Sequence, residues 1–193
     1  MRLAKVLAAS ALLALFAAQI PAEAHRSPVR LESVQLKRGL AAFGRRDYTS
    51  AGLLLRAPAE GGNAAAQAVL CFLYAYGRGV PQSFDEAAFW CRRSASQGNP
   101  QGQYLLGLLY NAGHGVPENY VQAYKWLNLA ATQASGPKKD FSYRLRDSVA
   151  MKMSPRQVAK AQALSVAWRP IPEVPGAPLI IEFCASDRHC PDE

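Results

Sequence analysis

Residues 67–97 and 103–133 carry one pattern twice, displaced by 36 positions. Gln67, Leu70, Leu73, Tyr74, Gly77, Gly79, Val80, Pro81, Ala87, Trp90, Ala95 and Gln97 fall on Gln103, Leu106, Leu109, Tyr110, Gly113, Gly115, Val116, Pro117, Ala123, Trp126, Ala131 and Gln133. A worn copy lies one period earlier, where Tyr48, Ala51, Leu54, Ala59 and Gly62 precede Phe84, Ala87, Trp90, Ala95 and Gly98. A unit of this length cannot bury its own apolar face, so each copy must stack on its neighbours.

The same spacing punctuates the helices. Asp47, Ser83 and Asn119 suit N-cap positions, and Glu86 and Gln122, three residues after Ser83 and Asn119, complete the pattern of a capping box. Asn63 and Asn99 cap the other helix of each unit, with Pro100 in the first helical position, where its missing N–H costs nothing. Gly77 and Gly113 can take the left-handed backbone that ends a helix, and Pro81 and Pro117 then hold the chain extended to the next cap. One unit therefore reads as helix, Gly-x-Gly-Val-Pro turn, helix. The predicted elements are 34–44, 48–61, 64–76, 84–97, 100–112, 120–133, 138–152 and 155–168. Ala87 and Ala123 allow two helices to approach closely, while Trp90 and Trp126 supply bulk to the seam. The expected fold class is all-α: an α/α superhelical solenoid of helix-turn-helix repeats with an extended C-terminal tail.

The first 24 residues stand outside this scheme. Arg2 and Lys5 precede an apolar run over 6–20, and Ala22 and Ala24 have the small-residue spacing of a cleavage site, which together read as a secretory signal peptide cut near Ala24. The run is too short for a typical membrane span of about 20 residues, so the expected location is periplasmic or secreted. The expected organisation is a signal peptide over 1–24, a linker over 25–33, the solenoid with its terminal capping helices over 34–168, and a Pro-rich, Cys-containing tail over 169–193. Cleavage lowers the formal charge from +8 to +7, because two cations and one anion leave together. Seven cations, Lys138, Lys139, Arg144, Arg146, Lys152, Arg156 and Lys160, cluster against only Asp140 and Asp147. Such a patch either keeps one end solvated or attracts an acidic glycan or membrane surface. Export argues against nucleic acid as a partner. The cysteines at 71, 91, 184 and 190 are an even number in an oxidising compartment, where disulfides are the default and three pairings are possible.

The stretch QYLLGLLYNAGHGVPENYVQAYKWLNLAA, with its partner around YGRGVPQSFDEAAFW, resembles the Sel-1-like repeat, a relative of the tetratricopeptide repeat with a longer turn between its helices. The resemblance covers 64–133 strongly and 34–62 more loosely, and residues 138–168 are similar to the helices that close such arrays. One departure from the pattern is Cys71, which stands where Gly107 follows it at a close-packed position. In an antiparallel helix pair, Cys71 and Cys91 come to similar height, which favours a 71–91 disulfide and leaves 184–190 as the second; two separately buried thiols are the alternative. The resemblance also implies a scaffold that binds a protein or peptide partner, with the first helix of each unit lining a concave groove. Phe72, Tyr76, Tyr104, Leu108 and Asn111 would then face that groove. Tyr104 and Asn111 stand out because Ala68 and Ala75 occupy the equivalent places, whereas Phe72 and Leu108 equally suit packing between repeats.

Other candidate chemistry is weak. The glycines of GRGV and GHGV follow a helix and lack the Lys-Ser/Thr of a phosphate loop, so they read as turns, with His114 an exposed turn residue. SGPK at 135–138 has the Ser-x-x-Lys spacing of penicillin-binding enzymes, but Gly136 and Pro137 intervene and no Lys-Thr-Gly is present. A β-lactam-binding or hydrolytic enzyme is therefore the alternative class, and no catalytic set is assigned. CASDRHC at 184–190 gathers Cys184, Asp187, His189 and Cys190, a combination better suited to a small disulfide loop than to a tetrahedral metal site; no metal or cofactor is expected. The apolar stretch 178–183 is expected to dock on the chain itself, since its exposure would invite aggregation.

Overall fold

The caps predicted from the repeat determine where the helices begin. The computed structural model describes residues 28–133 and 136–173. Among them, α1 spans Pro28–Gly44, α2 Tyr48–Glu60, α3 Ala64–Tyr76, α4 Phe84–Ser96, α5 Pro100–Ala112, α6 Tyr120–Gln133, α7 Pro137–Ala150 and α8 Pro155–Ala167. The Asp47, Asn63 and Asn99 side chains accept from the main-chain N–H groups of Ser50, Ala66 and Gly102 at 3.0–3.1 Å. Asn119 does the same for Gln122 at 3.0 Å. Helix α1 starts at Pro28 and not near 34, so residues 28–33 of the expected linker are helical; a proline is well suited to the first helical position. At α4 and α6 only half of each expected capping box forms, because the Ser83 and Asn119 N–H groups donate to the Tyr74 and Tyr110 carbonyls at 3.1 and 3.0 Å. Ser83 Oγ accepts from the Glu86 N–H at 3.3 Å, but the Glu86 carboxylate takes the indole N–H of the buried Trp90 at 3.2 Å. A complete box occurs at Ser154 and Gln157, ahead of α8.

From α1 to α7 each helix packs on the next, and α1 also packs on α3 and α3 on α5, so the first helices of successive units lie side by side. At the C-terminal end the stacking changes, because α8 packs on α6. The turns explain how one unit registers on the next. Gly77 and Gly113 end α3 and α5 in the left-handed region at φ 60° and 68°. The second glycine of each turn lies against the start of the preceding unit's second helix: a Cβ on Gly79 would overlap the backbone of Tyr48 and Thr49, and one on Gly115 the backbone of Phe84 and Asp85.

The repeated glutamines have a matching role. Gln67 and Gln103 are fully buried, and their side-chain amides donate to the carbonyls of Ala59 and Ala95 at 2.9 and 3.4 Å, near the ends of α2 and α4. Gln97 and Gln133 in turn donate to Gln67 and Gln103 at 2.8 and 3.1 Å. The Ala59 and Ala95 carbonyls, which also accept from the Gly62 and Gly98 N–H groups at 3.1 and 3.0 Å, thus gain a further donor inside the stack.

Cys71 and Cys91 are joined by a disulfide between α3 and α4, with Cα atoms 5.1 Å apart. One period on, the matching positions hold Gly107 and Leu127, and a Cβ on Gly107 would come 2.7 Å from Leu127 Cγ. The close approach filled by leucine in the second unit is filled by a covalent bridge in the first. Cys184, Cys190 and the stretch 178–183 lie outside the described residues, as do the proposed signal peptide and Ser135.

Candidate functional site

The residues left free by the repeat gather on the face of α3 and α5. Tyr76, at the end of α3, is 50% exposed. With Leu108 and Asn111 of α5, it lines an open cleft of about 220 Å³ whose other walls include Ala75, Phe84, Leu105, Leu109, Ala112 and His114. The His114 ring stacks on Phe84 with centroids 4.2 Å apart. Asn111 Oδ1 accepts from Lys152 Nζ at 3.2 Å, which brings the turn after α7 to the rim of the same cleft.

Two of the five predicted groove residues do other work. Phe72 packs in an aromatic cluster, 5.4 Å from the ring of Phe43, 6.2 Å from Tyr48 and 4.8 Å from Tyr76. It joins the first helices of neighbouring units and holds the Tyr76 ring in place. Tyr104 is half-buried against Phe141 of α7 at 6.1 Å. Burial, with a smaller contribution from Tyr76, pushes its phenol above the ordinary range. Tyr76, Leu108 and Asn111 therefore line one cleft, and Tyr104 and Phe72 are not among its walls.

The cations of the terminal helices divide. Lys139, Arg144, Lys152, Arg156 and Lys160 are exposed, and the side chain of Lys138 lies outside the described residues. Arg146 is anchored instead: it lies over the Tyr143 ring at 4.6 Å, donates to Asn128 Oδ1 at 3.0 Å and pairs with Asp147. Lys152 is drawn to the groove, 5.1 Å from the centre of the Tyr120 ring. The basic surface is thus continuous with the cleft at one point.

A second site involves the start of the tail. After α8, Trp168 packs edge-on against Trp126 at 6.2 Å, and the Ile171 N–H donates to the Ser96 carbonyl at 2.8 Å. Glu173 then enters the first unit, where it pairs with Arg93 and accepts from Gln67 and Gln97 at 2.8 and 3.1 Å. None of these residues was singled out from sequence as a site.

The family model of the Sel1 repeat matches residues 64–99 and 100–135, the two units whose caps, turns and glutamines coincide. The chain is a Sel1-repeat protein. Among solved structures it is similar to c5321, a protective antigen present in uropathogenic Escherichia coli strains displaying an SLR fold, with 31% identity over 69% of this chain and a TM-score of 0.62. It spans 29% of the length of that chain. A Sel1 repeat protein from Oxalobacter formigenes is 34% identical, with 58% of this chain and 88% of that chain covered and a TM-score of 0.49. No curated protein matches. The Sel1-repeat fold is typical of protein–protein interaction modules, and the family is in general a scaffold for binding, not for catalysis.

Two signals for the missed residues were present in the repeat. His114 replaces Arg78 at an equivalent turn, and Arg93 stands where the next unit of this Sel1-repeat protein has Leu129. Both departures line a cleft, His114 beside Tyr76 and Leu108 and Arg93 beside Phe89 and Trp90.

Proposed function

We propose that this Sel1-repeat protein is an exported interaction module that binds a polypeptide partner through the concave groove, with Tyr76, Leu108 and Asn111 at the centre of contact. The observation that carries this reading is the half-exposed Tyr76 ring at the mouth of an apolar cleft, at a position where the next unit has only Ala112. An aromatic ring already held by packing loses little freedom on binding, which suits it to anchor a partner. The cleft accommodates a single large apolar side chain, and Lys152 and Asn111 at its rim offer a donor to an acidic or carbonyl group beside it. Export is supported by the positive start, apolar run and small-residue spacing of the first 24 residues.

The test is site-specific photocrosslinking in the native envelope. A photoreactive phenylalanine analogue at Tyr76 should give a discrete adduct that disappears when Leu108 is changed to Glu. The same analogue at Leu53 of α2, 77% exposed and remote from the cleft lining, should give none. Equal labelling from both positions would refute a groove-directed partner.

A further inference from the structure

Arg93 has a role that repeat packing does not explain. Its counterpart one period on is the buried Leu129, so stacking alone is served by an aliphatic side chain. A guanidinium that is only 9% exposed is strongly unfavourable unless a carboxylate and acceptors meet it. Here Nη2 pairs with Glu173 and donates to the Glu60 carbonyl at 3.3 Å. The guanidinium lies 5.4 and 5.0 Å from the ring centres of Phe89 and Trp90. Gln67 and Gln97 supply two further donors to the carboxylate. The first unit therefore holds a built carboxylate pocket, whereas the second has the paired glutamines without the cation.

The pocket extends beyond its occupant. Arg93 Nε is buried and has no hydrogen-bond partner. The same side chain walls an open cleft of about 270 Å³ with Arg56, Glu60, Glu86, Phe89 and Trp90. The occupant itself arrives as non-helical chain: Trp168 has left the helix at φ −64° and ψ 141°, Ile171 donates its N–H to Ser96, and Glu173 follows two residues later. Pro172, between them, has no N–H to satisfy. One main-chain bond followed by a side chain in a specific pocket is the way extended peptides are recognised on protein surfaces.

We propose that Gln67, Arg93, Ser96 and Gln97 form a second recognition site, specific for an extended acidic peptide with a main-chain donor two residues before a glutamate. Ile171–Glu173 of the chain's own tail is the resident occupant, and a partner protein carrying the same chemistry displaces it. This site is separate from the α3–α5 cleft and does not depend on that reading.

The probe is a labelled, end-blocked peptide of residues 168–173, made with Glu and with Gln at the last position, titrated into the full chain by fluorescence anisotropy. Glu173→Gln should bind the Glu peptide saturably and the Gln peptide at least about ten-fold more weakly. The wild type, whose own tail competes, should bind the Glu peptide at least about ten-fold more weakly than Glu173→Gln does. Adding Arg93→Leu, which copies Leu129, should abolish binding. Where Glu173→Gln does not fold, Glu173→Asp, which retains the charge with a shorter reach, takes its place. In the wild type, excess Glu peptide should also speed deuterium exchange of the Ile171 amide, a measurement that needs no variant. A folded variant that binds neither peptide, or both equally, would show an intramolecular clasp only and overturn the proposal. Unchanged exchange at Ile171 under excess peptide would do the same.

Discussion

Gly115→Ala and Gly113→Ala separate the two reasons for glycine in the turn. Both residues have left-handed backbone, at φ 64° and 68°, so each alanine incurs about 1–2 kcal/mol for that conformation. Their surroundings differ. A Cβ on Gly113 would lie 3.4 Å from Glu118 Cβ, an ordinary contact, whereas a Cβ on Gly115 would overlap the Phe84 carbonyl and the Asp85 nitrogen of the preceding unit. Main-chain atoms at the start of α4 can yield only if the two units move apart, and overpacking of that kind costs about 1–3 kcal/mol. Gly115→Ala should therefore destabilise the fold by about 2–5 kcal/mol and Gly113→Ala by about 1–2 kcal/mol. Urea titrations followed by helical circular dichroism, with an unchanged slope, would measure both. Losses equal within about 0.5 kcal/mol would refute the claim that the second glycine exists to let neighbouring units nest.

Three other outcomes follow from the packing. Removing the buried Cys71–Cys91 bridge, whose ends are 20 residues apart, should cost about 3 kcal/mol, and thiol counting under denaturing, non-reducing conditions should find neither cysteine free. Trp126→Ala should destabilise by about 3–5 kcal/mol, through lost burial and the cavity left beside Trp168; a loss under about 1 kcal/mol in the same urea assay would show that the seam is misplaced. The Asp47 carboxyl is held below the ordinary range by its hydrogen bonds from Ser50. Its ionised form therefore contributes stability that is present above the unfolded-state value and lost as pH falls through the folded one. Asp47→Asn keeps a cap acceptor without the titration, so the difference between variant and wild-type urea midpoints should shrink from pH 7 to pH 3.

The 36-residue period made most of the helices legible, because caps such as Asn63 and Asn99 and breakers such as Gly77 and Pro81 act locally and recur in register. The Cys71–Cys91 bridge was legible for a related reason: Cys71 departs from the Gly107 pattern at a position where two helices touch. Of the five candidate groove residues, Tyr76, Leu108 and Asn111 line one cleft, whereas Phe72 is drawn into packing by Phe43 and Tyr48. That preference depends on where rings from three elements meet, which periodicity does not encode. Least legible was Glu173. Its contacts lie 76 to 106 residues away in sequence, in a segment with no repeat, and only the substitution of Arg93 for a leucine hinted at them. The half-made capping box at Ser83 has a similar origin: the Tyr74 carbonyl takes the Ser83 N–H across the turn, and Glu86 accepts instead from the indole of the buried Trp90, which would otherwise be left without a partner.

The affinity of the crosslinked partner for Leu108→Glu tests the functional account most directly. Leu108 lines the α3–α5 cleft, and a carboxylate there would place a charge against the apolar wall while leaving the basic end untouched. With the melting temperature close to that of the wild type, binding should fall by at least about ten-fold and depend little on salt. Wild-type affinity in Leu108→Glu, with binding lost instead when Lys139 and Arg144 are changed to Glu, would contradict it and move the contact to the basic end.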